Sequence, residues 1–199
     1  QSEMVSQLLF GDTVTVNGKK EEHAFLFVTS DWDGYEGWVD EKTLTLLSRK
    51  DYGRLTGSGI RVLRGSMYSI PHPLTGMAIR VSGGSLIYDY WSIKEKELVP
   101  STAESGKQGS GKADSGTQAF GETCMQWLGT PYLWGGNGCF GIDCSGFTQN
   151  IYRQWNLKIP RDAHQQVRQG KHVEGPERAT AGDLAFFAKK DRIVHTGII

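Results

Sequence analysis

The sequence predicts an α+β protein built in two parts, with small all-β barrels first and a mixed domain of helices and strands after them. Three observations carry this expectation. Residues 1–100 break into short apolar stretches separated by turn signals. Residues 101–117 contain only small and polar side chains. From Gln118 onward apolar residues recur at helical spacing, until two strand-like runs end the sequence.

In the first part, Thr13 to Val16 alternates and ends at Asn17-Gly18, which predicts a hairpin. Ala24 to Thr29 reads as a strand, Asp33-Gly34 as a turn, and Gly37-Trp38-Val39 as the start of the next strand. The order Gly11-Asp12-Thr13-Val14, Gly34-Tyr35, Gly37-Trp38-Val39 and Leu44 resembles bacterial SH3-like domains. That resemblance implies a small barrel over residues 1–48, either a binding module or a structural appendage. Residues 49–100 continue the all-β texture. Ile60 to Leu63, Met77 to Val81 and Ser85 to Tyr90 are strand candidates, and Pro71-His72-Pro73 breaks regular structure. They read as a second, divergent SH3-like domain, with one composite β domain over 1–100 as the alternative. His23 and His72 are read as surface or packing histidines.

The run 101–117 has too little apolar area to offset its ordering entropy and reads as a flexible linker. In the helix that follows, Phe120, Cys124 and Leu128 fall on one face. Gly129 and Pro131 end it, and a glycine-rich loop from Tyr132 to Gly141 leads to Cys144. A helix over 145–155, a short helix after Pro160-Arg161-Asp162, and strands at 183–187 and 193–199 complete the order.

Lys plus Arg equal Asp plus Glu at 22 each among 199 residues, so no overall field attracts nucleic acid. No apolar run is long enough to span a membrane. The sequence starts at Gln1 with no signal peptide, which reads as a processed product and points to export into the periplasm or cell envelope, with a cytoplasmic recycling role left open. The 3 cysteines form neither a disulfide framework nor a Cys-x-x-Cys zinc pattern, so no metal is expected. A Cys124–Cys139 bridge stays open.

Asp143-Cys144-Ser145-Gly146 places a thiol where a helix begins. Unpaired N–H groups and the positive end of the helix dipole favour its thiolate, the nucleophilic form. His195 lies in a later apolar run and is the candidate general base. Strand alternation sends its side chain away from Val194, Thr196 and Ile198. His164 and His172 compete less well, one on a surface helix and one in a polar loop.

Tyr132 to Gly136, Asp143 to Phe147, Pro160-Arg161-Asp162, Gly182 to Phe187 and Val194 to Ile198 together resemble the NlpC family of papain-like cell-wall cysteine peptidases. The resemblance covers roughly the last 80 residues. It implies the N-terminal part of a papain-like peptidase domain over 118–199, with a third catalytic residue on a strand beyond Ile199. It also implies a cysteine endopeptidase without cofactor, hydrolysing the γ-D-glutamyl–diamino acid bond of peptidoglycan-derived peptides that carry a free N-terminal L-Ala. Cys144 and His195 would be catalytic, and Tyr132, Asp143, Ser145 and Asp162 would contact substrate, with Tyr132 and Asp143 on the ammonium group. Arg161 could pair with a substrate carboxylate or a local aspartate and stays outside that set, and Trp134 is read as a core anchor. In related multidomain peptidases an SH3-like domain closes one end of the cleft, which makes Tyr35, Glu36 and Trp38 the candidates for that wall. A non-catalytic cell-wall-binding protein, or another amidase or acyltransferase on the same scaffold, is the alternative.

Overall fold

The computed structural model describes residues 3–20, 24–101 and 113–199. The first unit is an antiparallel sheet of β1 (Val14–Lys20), β2 (Phe25–Ser30) and β3 (Glu36–Asp40). Asn17-Gly18 is not a hairpin turn, because β1 runs through it. The register against β2 shifts between Val16 and Gly18, leaving Asn17 as an unpaired bulge residue. Its side-chain amide donates to Thr29 Oγ1 at 2.6 Å, which holds the bulge against the sheet.

Residues 49–100 are not all β. Helix α1 (Arg49–Thr56) opens them, and the Ser48 hydroxyl accepts from Asp51 N at 3.1 Å as its N-cap. Strands β4 (Ile60–Val62), β5 (Met67–Pro71), β6 (Ala78–Ser82), β7 (Leu86–Tyr88) and β8 (Val99–Pro100) follow, in sheets ordered β4-β7 and β6-β5-β8. Pro71 ends β5 rather than excluding a strand there, and His72 N donates to Met77 O at 2.8 Å to close the hairpin. Leu63, Ile70, Val81, Ile87 and Ile93 form the core, with Phe10 packed against it from the N-terminal segment. Each such aliphatic side chain contributes about 1.5–3 kcal/mol by burial.

In the last unit, helix α2 (Ala113–Met125) begins within the segment read as linker. Residues 102–112 of that segment, like His23, lie outside the described residues. The helix ends before Leu128, which is 71% exposed, so Leu128 does not extend the buried face. Trp127 takes that place and packs with Ile142 and Ile151. A two-stranded ribbon, β9 (Asn137–Gly138) with β10 (Gly141–Ile142), leads into α3 (Cys144–Gln154). Then come the single turn α4 (Ala163–Gln166) and the antiparallel pair β11 (Leu184–Lys189) and β12 (Arg192–Ile198), with β12 packed on α3. Among the described residues no helix is long and apolar enough to cross a membrane.

Helix α3 is buried on both faces. One face sets Phe147 and Ile151 against Trp127. The other carries Gln149, Asn150, Arg153 and Gln154, all buried, against the β half. Asn150 Nδ2 donates to Gly83 O at 3.0 Å and Gln154 Oε1 accepts from Gly65 N at 2.6 Å. Arg153 pairs with Asp12, and its guanidinium lies 4.4 Å from the Trp32 ring centre. A polar helix face ordinarily meets water. Here it meets backbone groups of the neighbouring units, which need partners once buried.

Candidate active site

Cys144 is the first residue of α3, partly exposed, with a free thiol. Asp143 stands before it as N-cap and is buried. Its Oδ1 accepts from Gly146 N at 2.7 Å, and its Oδ2 accepts from Gly135 N at 2.9 Å. Arg161, only 1% exposed, donates to both oxygens, Nη1 to Oδ1 at 3.0 Å and Nη2 to Oδ2 at 2.7 Å. The carboxylate therefore ties the glycine loop to the start of the helix and pins the turn that presents the thiol.

Ser145 is buried in the same network. Its hydroxyl donates to Asp143 Oδ1 at 3.3 Å and accepts from Arg161 Nη1 at 2.9 Å. Its backbone carbonyl accepts from Gln166 Nε2 at 3.1 Å. The hydroxyl expected to touch substrate is thus engaged inside the fold.

Tyr132 is exposed beside this turn, where its backbone makes a bridge to Ile142. Partial desolvation and the negative charges of Cys144 and Asp143 raise its phenol above the ordinary 10.0, with Arg161 opposing. The phenol therefore stays neutral at neutral pH, with its oxygen able to accept. Trp134 is 61% exposed and so is not the core anchor expected of it. The anchor beneath the loop is Trp127, four residues past the α2 core position Thr123 and buried at 4%.

From the β half, Tyr35 reaches across to Asp162, its hydroxyl 3.4 and 3.5 Å from the two carboxylate oxygens. Burial is the main cause that raises the Tyr35 phenol above its usual 10.0, followed by the charge of Asp162. Of the other two candidates for the cleft wall, Glu36 is exposed and accepts from Thr29 Oγ1 at 3.2 Å, and Trp38 is exposed with its ring 5.2 Å from that of Phe27.

His195 is exposed on β12, opposite Phe187 in register, and the two rings lie 5.6 Å apart. Thr196 is buried and Ile198 packs on the Trp127 cluster, so those two share the inward face. Val194 departs from the expected alternation and is exposed, because the register shifts between Phe187 and Ala188 and leaves it unpaired. Among the described residues no hydrogen bond joins the imidazole to Cys144 or to an orienting side chain. His164 and His172 are both exposed.

Sequence reasoning missed Gln166 as a part of this site and left Arg161, which could pair with a substrate carboxylate or a local aspartate, outside the candidate set. Gln166 is buried, donates to Pro160 O at 2.8 Å and accepts from Thr148 Oγ1 at 2.9 Å. Nothing in a single sequence marks a glutamine on a short helix as buried. Arg161 stood next to a candidate, and the fork geometry of arginine toward a carboxylate was the available signal.

An α+β domain of papain-like order, with a cysteine at the mouth of a buried helix and SH3-like sheets in front of it, is the class these features define. The chain belongs to the NlpC/P60 family. That family's model matches residues 129–199, and a model described as the bacterial dipeptidyl-peptidase Sh3 domain matches residues 1–44. The chain is 31% identical over 212 residues to the gamma-D-glutamyl-L-lysine dipeptidyl-peptidase of Bacillus subtilis, covering 97% of this chain and 68% of that one. It is 30% identical to the protein of the same description from Bacillus cereus, covering 94% of this chain and 61% of the relative. A crystal structure of an NlpC/P60 family protein from Bacillus cereus superposes with a TM-score of 0.74 at 25% identity, over 98% of this chain and 70% of that one. The chain thus spans about two-thirds of the length of these relatives.

Proposed function

We propose that this protein is a cysteine endopeptidase that hydrolyses the γ-D-glutamyl–diamino acid bond of peptidoglycan-derived peptides bearing a free N-terminal L-Ala. The single observation that carries the reading is the meeting of Tyr35, from the SH3-like half, with Asp162, next to the Arg161–Asp143 pair that fixes the Cys144 turn. A phenol and a carboxylate facing each other suit an ammonium group, whose N–H groups donate charge-assisted hydrogen bonds to both oxygens. Tyr132, near Cys144 and Asp143, supplies a further hydroxyl. The Bacillus relatives, described as gamma-D-glutamyl-L-lysine dipeptidyl-peptidases, support the same bond.

In this reading the Cys144 thiol gives its proton to His195, and the sulfur attacks the γ-carbonyl carbon of D-glutamate. The tetrahedral intermediate collapses as the C–N bond breaks, and the imidazolium protonates the departing amine of the diamino acid. A thioester remains on Cys144. His195 then takes a proton from water, whose oxygen attacks the thioester carbon, and the L-Ala-D-Glu dipeptide leaves as the thiol is restored. The backbone N–H of Cys144, at the start of α3, donates to the oxyanion in this reading. Asp143 and Ser145 act by holding the turn, while Tyr132, Tyr35 and Asp162 face the substrate. Export to the cell envelope accords with such a substrate.

The test is dipeptide release from L-Ala-γ-D-Glu-L-Lys by the full-length protein and by its Cys144→Ala variant. The reading requires release by the first and a rate at background for the second. Equal release by both contradicts it.

A further inference from the structure

The β2–β3 turn that carries Tyr35 is not held by its own hydrogen bonds alone. Gly34 N donates to Ser30 O and Ser30 N to Tyr35 O, both at 2.9 Å, which shapes the turn without fixing where it points. Its direction is set from outside. Asp33 Oδ1 accepts from Tyr35 N at 3.1 Å, and Asp33 Oδ2 accepts from Gln149 Nε2 at 2.8 Å. The same Gln149 nitrogen donates its second hydrogen to Ile159 O at 3.1 Å, on the segment that runs directly into Asp162. One amide group, only 2% exposed and on the helix that Cys144 begins, thus ties together the carriers of Tyr35 and Asp162. A second anchor lies alongside, where the Trp32 ring in the same turn packs against the Arg153 guanidinium at 4.4 Å and the Lys158 ammonium at 4.8 Å.

We propose that Gln149 and Asp33 are specificity-positioning residues, which hold Tyr35 at its working distance from Asp162 and so set the preference for a peptide with a free amino terminus. The inference rests on the reading of Tyr35 and Asp162 as the ammonium site. Glutamine suits the role because its two N–H donors diverge from one nitrogen and reach both carriers at once. Asp33 is the natural receiver on the turn, since a carboxylate accepts from the glutamine with one oxygen and from the Tyr35 backbone with the other. Loss of either side chain leaves the ends of the site free to drift apart, and an ammonium bridged by two groups is sensitive to such a displacement. Neither residue touches the substrate.

Binding is measured by calorimetry in the full chain carrying Cys144→Ala, with L-Ala-γ-D-Glu-L-Lys and its N-acetyl counterpart as probes. The readout is the ratio of the two affinities, which a general loosening of the fold lowers on both sides and leaves unchanged. Tyr35→Phe reports on the ammonium site itself. Asp33→Ala, at a half-buried turn position, tests the brace without opening the interior, and Gln149→Leu tests it from the helix. The expected result is that each of the three reduces the free-amine preference roughly ten-fold. A reduced preference in Tyr35→Phe together with an unchanged one in both Asp33→Ala and Gln149→Leu overturns the brace and leaves the ammonium site standing. An unchanged preference in Tyr35→Phe overturns both.

Discussion

The Arg161 guanidinium closes a two-bond fork on Asp143, with Nη1 3.0 Å from Oδ1 and Nη2 2.7 Å from Oδ2. The fork matters because Asp143 is also the N-cap of the helix that Cys144 begins. A buried carboxylate with a matched cation is held in one orientation, and so is the backbone turn it caps. The position of the thiol therefore depends on a charge 17 residues further along the chain, next to Asp162.

Arg161→Met strips the cation from a carboxylate that stays buried. Removing one partner of a buried pair costs about 3–5 kcal/mol. Urea unfolding of the variant is expected to show a loss in that range, with peptidase activity lost together with stability. A loss below about 1 kcal/mol would place the pair among ordinary surface bridges.

Asp12 and Arg153 pair between the N-terminal turn and the back of α3, with side chains 4% and 3% exposed. Asp12→Ala and Arg153→Met are each expected to destabilise the protein by about 3–5 kcal/mol. The double variant is expected to lose much less than the sum of the two, because the second change removes a charge already left alone. Denaturant melts of the four proteins measure this coupling, and strict additivity would show that the pair does not act as a unit.

Tyr132 is expected to accept a hydrogen bond from the substrate ammonium through its phenol oxygen, the phenol itself staying neutral because desolvation and the charges of Cys144 and Asp143 raise it above 10.0. A hydrogen bond involving a charged group contributes about 1.5–3 kcal/mol. Tyr132→Phe is accordingly expected to lower kcat/KM by roughly 10- to 100-fold on the free-amine tripeptide. Steady-state kinetics with the free and N-acetylated peptides check this, and the drop should be confined to the free amine.

Burial pushes the Cys124 thiol from its ordinary 9.0 to about 11. A thiol whose folded-state pKa is raised stays protonated in the fold, while the unfolded chain loses its proton nearer the ordinary value. Its contribution to stability is complete below 9.0 and is lost as pH rises from there through about 11. Alkylation at pH 8 followed by peptide mass mapping should spare Cys124 in the folded protein and reach it in denaturant. Equal labelling in both states would contradict its placement against the Trp127 cluster.

What was legible in the sequence follows the range of the interactions. The helix that Cys144 begins, the glycine loop before it and the final pair of strands are written in local periodicity and turn residues, and they form close to where the pattern puts them. Asn17-Gly18 misled because the same dipeptide serves a bulge as well as a turn, and only the partner strand decides between them. Helix α1 was hidden because Arg49, Lys50, Asp51 and Arg54 carry no apolar stripe, and Leu55 is the residue it buries. The polar face of α3 was the largest loss. Gln149, Asn150, Arg153 and Gln154 look like a solvated face, and their partners Asp33, Gly83, Asp12 and Gly65 lie far away in the chain. The engagement of Ser145 by Arg161 was hidden for the same reason, since it depends on a contact that spacing does not encode.

The most direct test of the account is the fate of Cys144 during turnover. The full-length protein is mixed with L-Ala-γ-D-Glu-L-Lys, quenched in acid within the first turnovers, digested and mapped by mass spectrometry. An L-Ala-γ-D-Glu acyl group is expected on the peptide containing Cys144, absent from Cys124 and Cys139 and released by hydroxylamine. Cleavage of the tripeptide with no acyl group on Cys144, and at an undiminished rate in Cys144→Ala, would contradict it.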